Sequence, residues 1–123
     1  MQQDYIVRQI QQLAAVLAQV LFRKRAGEVE DAQTVLEAGI AEALGCDLEV
    51  VHGLGRDALE AMCAPGEPLA GETALAVAEV LAEDREPSGR RRALWLYEIA
   101  LEAGEAVPFD VHDRIEALRQ SLS

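Results

Sequence analysis

Aromatic residues are scarce in this chain: one Trp, two Tyr and two Phe make up 4% of 123 residues. Sheets draw on aromatic and β-branched side chains, so this scarcity argues against an all-β fold. Cysteine is scarce too. Cys46 and Cys63 are the only two, too few for a disulfide framework, and reduced thiols in a cytoplasmic protein are the expectation. No basic-then-apolar export segment opens the chain. The longest apolar stretch near its start, from Leu13 to Phe22, is interrupted by Gln19 and is too short to span a bilayer. Bases are outnumbered 22 to 11, for a net charge of −11 and an isoelectric point near 4.5. A surface this acidic repels phosphate backbones and anionic bilayers, so neither nucleic acid nor membrane is an expected partner.

Chemistry-bearing residues are equally sparse. There are two histidines, and serine occurs only at Ser88, Ser121 and Ser123. His112 has Asp113 beside it and Glu116 one turn on, but neither His-Glu-x-x-His nor Cys-x-x-Cys occurs, so no metal is expected. His52, one turn after Glu49, reads as a boundary histidine paired with a neighbour. Cys46 follows Gly45 and precedes Asp47 without a base marked for it, and Cys63 reads as a small packed hydrophobe. Gly53-Leu54-Gly55 opens a dinucleotide pattern that fails at Ala58. The carboxylates Glu79 with Glu83, and Glu98 with Glu102 and Glu105, read as a solvated face. No cofactor and no catalytic residue is expected.

What the chain does have is Ala (21 residues) and Leu (16 residues), the composition of helices. It predicts one all-α domain over 1–123, built of six or seven helices in stacked antiparallel hairpins, with a long first helix. The first helix runs from an N-cap at Asp4 to about Arg25, before Gly27. Ile6, Ile10, Leu13, Leu17 and Val20 step through it by four, three, four and three, an a/d seam. A second helix spans about 28–44 with the stripe Val29, Ala32, Leu36 and Ile40, and Gly45 ends it. Two short helices, about 48–53 and 56–63, precede a break at Pro65-Gly66-Glu67-Pro68 that separates sub-parts 1–64 and 69–123. Helices follow over about 69–85, with Leu69, Val77 and Leu81 inward, and over about 90–103, ended by Gly104. The last begins near Asp110 with Val111, Ile115, Leu118 and Leu122 inside.

Charge is uneven along this order. Residues 1–25 hold Arg8, Arg23, Lys24 and Arg25 against Asp4, whereas 26–89 hold fifteen acids against Arg56 and Arg85. Arg90-Arg91-Arg92 opens a helix against its dipole, and pairing with Asp84 and Glu86 across the Pro87-Ser88-Gly89 turn is expected. An anion contact through Arg90–Arg92 is the other reading of that run.

Two resemblances add to this. Ala93, Tyr97 and Ala100 have the small–aromatic–small spacing of the second helix of a tetratricopeptide repeat, with Glu105 where that family places a closing proline. The likeness covers one helix pair and implies repeat-like, tetratricopeptide-like packing without peptide-binding residues. Asp4, Tyr5, Ile6, Arg8 and Ile10, followed by Gly27-Glu28 and Leu44-Gly45, resemble an uncharacterised family of small bacterial helical proteins opening Asp-Tyr-Ile-x-Arg-x-Ile. That likeness covers about the first 60 residues and implies no activity.

The functional expectation is a non-enzymatic protein–protein interaction or self-associating module, with a homodimer or another protein as partner. Its interface would draw on Tyr5, Ile6, Ile10, Leu13, Leu17 and Val20, because the apolar surface of the first helix is wider than one neighbouring hairpin covers. The alternative is a small-ligand or enzymatic groove between helix pairs, lined by Trp95, Tyr97, Cys63 and His52.

Overall fold

The structure, a computed structural model, describes residues 2–63, 70–104 and 107–123. The expected break at Pro65–Pro68, Leu69 and Glu105 lie outside the described residues. Among the described residues the chain forms seven helices and no strand: α1 (Gln2–Arg25), α2 (Val29–Leu44), α3 (Leu48–His52), α4 (Arg56–Met62), α5 (Ala70–Leu81), α6 (Pro87–Glu102) and α7 (Val111–Leu122). The fold is all-α. None of these helices is long and apolar enough to cross a membrane.

Two hairpins carry most of the packing, α1 with α2 and α5 with α6. The first is antiparallel, since Gln9 near the start of α1 donates from Nε2 to the Ala43 carbonyl near the end of α2 at 2.8 Å. Its helices cross closely at Gly39, where an added Cβ would come within 2.5 Å of both Val16 methyls. The αL residue Gly45 (φ 74°) ends α2 and donates to the Ala41 carbonyl, as its place in the sequence predicts. The hairpins then join through α1 and α5, which lie side by side and parallel. Ile10 and Glu72 border one end of the seam between them, and Lys24 bonds Glu83 at the other. On α6 rest α7, α4 and α3.

The core runs through all of these elements, with Leu13, Leu36, Ile40, Leu59, Leu81, Leu96 and Tyr97 almost fully enclosed. Ala74, Ala78, Ala93 and Ala100 are fully buried as well. The Ala-rich composition therefore serves close helix–helix approach as well as helix propensity.

Three boundaries differ from the sequence reading. α1 begins at Gln2, so Asp4 stands in its first turn, where a carboxylate favours the helix dipole, instead of capping it. α5 ends at Leu81, four residues early, through tight i→i−3 bonds from Glu83 and Asp84 to Val80 and Leu81. α6 begins three residues early because Pro87 occupies its first turn with φ already set.

Candidate functional site

Two concave regions flank the α5–α6 turn, and Asp84 lies at their junction. Its side chain is fully buried. Oδ1 accepts from Gln33 Nε2 at 2.9 Å and from the Glu86 backbone N–H at 3.0 Å. Oδ2 lies 2.7 Å from His52 Nε2, which donates to the ionised carboxylate. Gly89 is obligatory beside it, because a Cβ there would overlap the carboxylate. Gln33 closes the loop by accepting the Arg85 N–H at 3.2 Å. One buried carboxylate thus ties α2, α3 and the α5–α6 turn together.

On one side of this knot lies a cleft of about 350 Å³ lined by Gln33, Glu37, Leu48, Glu49, His52, Arg85 and Glu86. Among the described residues no nucleophile is placed against the His52–Asp84 pair. Ser88 Oγ donates to the His52 carbonyl at 2.9 Å and accepts from Arg92 Nη1 at 2.8 Å, so the nearby hydroxyl is fixed in a structural role. Cys63 is no better a nucleophile: burial, and after it the Glu60 charge, push its thiol up to about 12. Cys46 and Cys63 are both free thiols. Among the described residues no group of three His, Cys, Asp or Glu side chains is placed to hold a metal ion.

On the other side is a groove of about 400 Å³ between α1, α5, α6 and α7. Leu17, Leu21, Ala82, Ala117 and Leu118 give it apolar walls, and Glu79, Glu83, Arg90, Tyr97, Arg114 and Ser121 its polar groups. A smaller hollow of about 240 Å³ continues it along α1 and α5 past Leu13, Ala14, Leu75 and Ala76. Within the groove Glu79 meets Arg114 at 3.1 Å and Glu83 meets Lys24 at 2.9 Å. The Tyr97 phenol is raised by burial, and a hydrogen bond from Arg114 opposes that rise.

The residues of the first-helix seam go to different places. Ile6, Leu13 and Val20 are buried in the chain's own core. Ile10 and Leu17 are half-buried and line the groove and its extension, and Tyr5 is 64% exposed. Among the described residues Trp95, Tyr97, Cys63 and His52 fall in different places. Tyr97 lines the groove and His52 the opposite cleft, while Cys63 is buried in the core and Trp95 packs half-buried against it, with Arg92 5.0 Å over its ring. The pairing expected of the arginine run also goes elsewhere. Arg90 Nη1 donates to the Asp84 and Arg85 carbonyls, and Arg92 Nε to the Leu54 carbonyl. Main-chain acceptors just past the end of α5 take the bonds of Arg90, and one between α3 and α4 takes that of Arg92, while the Asp84 carboxylate is held by Gln33, His52 and Glu86.

The sequence reading passed over a second seam on α1. Asp4, Val7, Gln11, Ala14, Ala18, Leu21 and Arg25 recur at three- and four-residue steps, and all but the half-buried Leu21 are exposed. Phe22, next to Leu21, is 70% exposed. Alanine and glutamine in the middle of this row hide it from a search for large apolar residues. Compared with known proteins, the chain matches no family model, no curated protein and no solved structure.

Proposed function

We propose that this chain is a non-enzymatic, self-associating helical module in which the outer seam of α1 pairs antiparallel with α1 of a second copy. The seam on α1 carries this reading: a heptad-spaced row exposed except at the half-buried Leu21, small at its centre and larger toward its ends. It is also self-complementary. A two-fold axis between Ala14 and Ala15 sets Val7 against Phe22 of the second copy, and Asp4 against its Arg25. The alanines let the two backbones approach closely at the crossing, and the opposite charges at the ends fix direction and register more than they add affinity. The outer seam holds only Asp4 and Arg25 as charges, whereas α2 and α3 expose Glu30, Asp31, Glu37, Glu42, Asp47 and Glu49. Two chains of net charge −11 therefore repel least when they meet through α1.

Light scattering across a hundred-fold range of concentration tests the proposal. Twice the chain mass is expected at micromolar concentration, and added salt should strengthen the pairing by screening the acidic faces. Ala18→Glu, which buries a charge at the crossing, should return the chain to a monomer with unchanged helicity. A wild-type monomer at every concentration, or a dimer that Ala18→Glu leaves intact, would overturn it.

A further inference from the structure

We infer that the groove beside Arg90 binds an amphipathic monocarboxylate, a molecule with one acidic head and an aliphatic tail. Its carboxylates are each held by a base, and among the described residues one base is left without a carboxylate. Glu83 is paired with Lys24, and Glu79 with Arg114, which also holds Asp110 at 3.1 Å. Arg90 donates only to the Asp84 and Arg85 carbonyls, and no carboxylate among the described residues pairs with it. Its Nε is enclosed and has no hydrogen-bond partner. A buried donor left unpaired is costly, and turning the guanidinium toward an anion in the groove exchanges two neutral carbonyl bonds for a charge-assisted pair without breaking an ion pair.

The rest of the groove selects the ligand. Leu17, Leu21, Ala82, Ala117 and Leu118 offer an aliphatic wall, with no aromatic ring other than Tyr97. A volume of about 400 Å³ lies in the range of small-molecule sites and suits a short chain. One guanidinium without a carboxylate of its own suits a single negative charge, and a phosphate dianion would meet stronger repulsion from Glu79 and Glu83. The guanidinium fork also fits the two oxygens of a carboxylate. The groove shares Leu21 with the outer seam of α1, but its choice of ligand does not rest on the α1 pairing.

Calorimetric titration of the full chain with octanoate, and with octan-1-ol as the uncharged control, tests the assignment. Octanoate is expected to bind saturably and octan-1-ol at least about ten-fold more weakly. Arg90→Gln should bring octanoate down to the level of the alcohol, while Arg90→Lys keeps part of the preference. Ala117→Trp, at an exposed position of α7 in the groove wall, should abolish binding without lowering Tm. Equal binding of the two probes, no saturable octanoate binding, or binding that survives Ala117→Trp would overturn the proposal. Should Arg90→Gln fail to fold, the alcohol control and Ala117→Trp decide the matter without it.

Discussion

Replacing Asp84 by Ala removes one buried acceptor and strands donors from three elements: Gln33 Nε2, His52 Nε2 and the Glu86 N–H. Each stranded donor keeps its desolvation cost and loses its bond, so Asp84→Ala should cost about 2–4 kcal/mol in urea unfolding. Ser88→Ala is the comparison within the same knot. It deletes the bond to the His52 carbonyl but leaves Arg92 bonded to the Ser88 and Leu54 carbonyls, and should cost about 1 kcal/mol. Equal losses for the two variants would show that Asp84 is not the centre of the network. Asp84 could not be singled out in the sequence. Its partners Gln33 and His52 lie 51 and 32 residues away, and no spacing rule links positions on different elements. His52 was legible only as a histidine paired with some neighbour, and the neighbour proved to be Asp84.

Helices were legible where side-chain size repeats and less so where a turn decides. The α1 seam, the α2 stripe from Ala32 to Ile40 and the end of α2 at Gly45 follow from apolar period and from glycine tolerating positive φ, whereas Val29, read into that stripe, is exposed in the first turn of α2. The α5–α6 boundary was misplaced because Asp84 and Pro87 set it: the carboxylate accepts its own turn's N–H and the proline starts the next helix. Gly39 went unmarked in mid-helix, where glycine weakens a helix by about 1 kcal/mol relative to Ala. Contact with Val16 explains it. Gly39→Ala should therefore destabilise by about 1–3 kcal/mol despite the better propensity, since the two helices must part. Val16→Ala in the same chain should recover most of that loss, and a double-mutant cycle of thermal or urea unfolding measures the coupling. Simple additivity would mean that the two residues do not meet. The outer α1 seam belongs to this scale as well: it has the inner seam's period, but residue size conceals it.

For the whole molecule, the two buried neutral acids set a limit on the alkaline side. Cys63 is raised from 9.0 to about 12 by burial and then by Glu60, and Tyr97 is raised from 10.0, chiefly by burial. Each raised value means that the folded chain holds a proton that the unfolded chain gives up sooner. The thiol's stabilising effect is thus fully present below pH 9 and declines as pH rises from 9 toward 12, and the phenol's is fully present below pH 10 and declines above it. The slope from one such thiol approaches about 1.4 kcal/mol per pH unit once the unfolded form is ionised. Urea midpoints measured from pH 7.5 to 11 should hold steady at first and then fall. Cys63→Val keeps an apolar group of similar size in the core and removes the titration, so its midpoint should fall less steeply than wild type above pH 9. The residual decline is then the share of Tyr97, and Tyr97→Phe in the same chain should flatten it further. If Cys63→Val and wild type declined in parallel, the thiol would not be the group whose burial resists ionisation. The same burial predicts that a thiol reagent at pH 8 modifies Cys63 more slowly in the native chain than in the unfolded one, at a rate that rises with urea as stability falls.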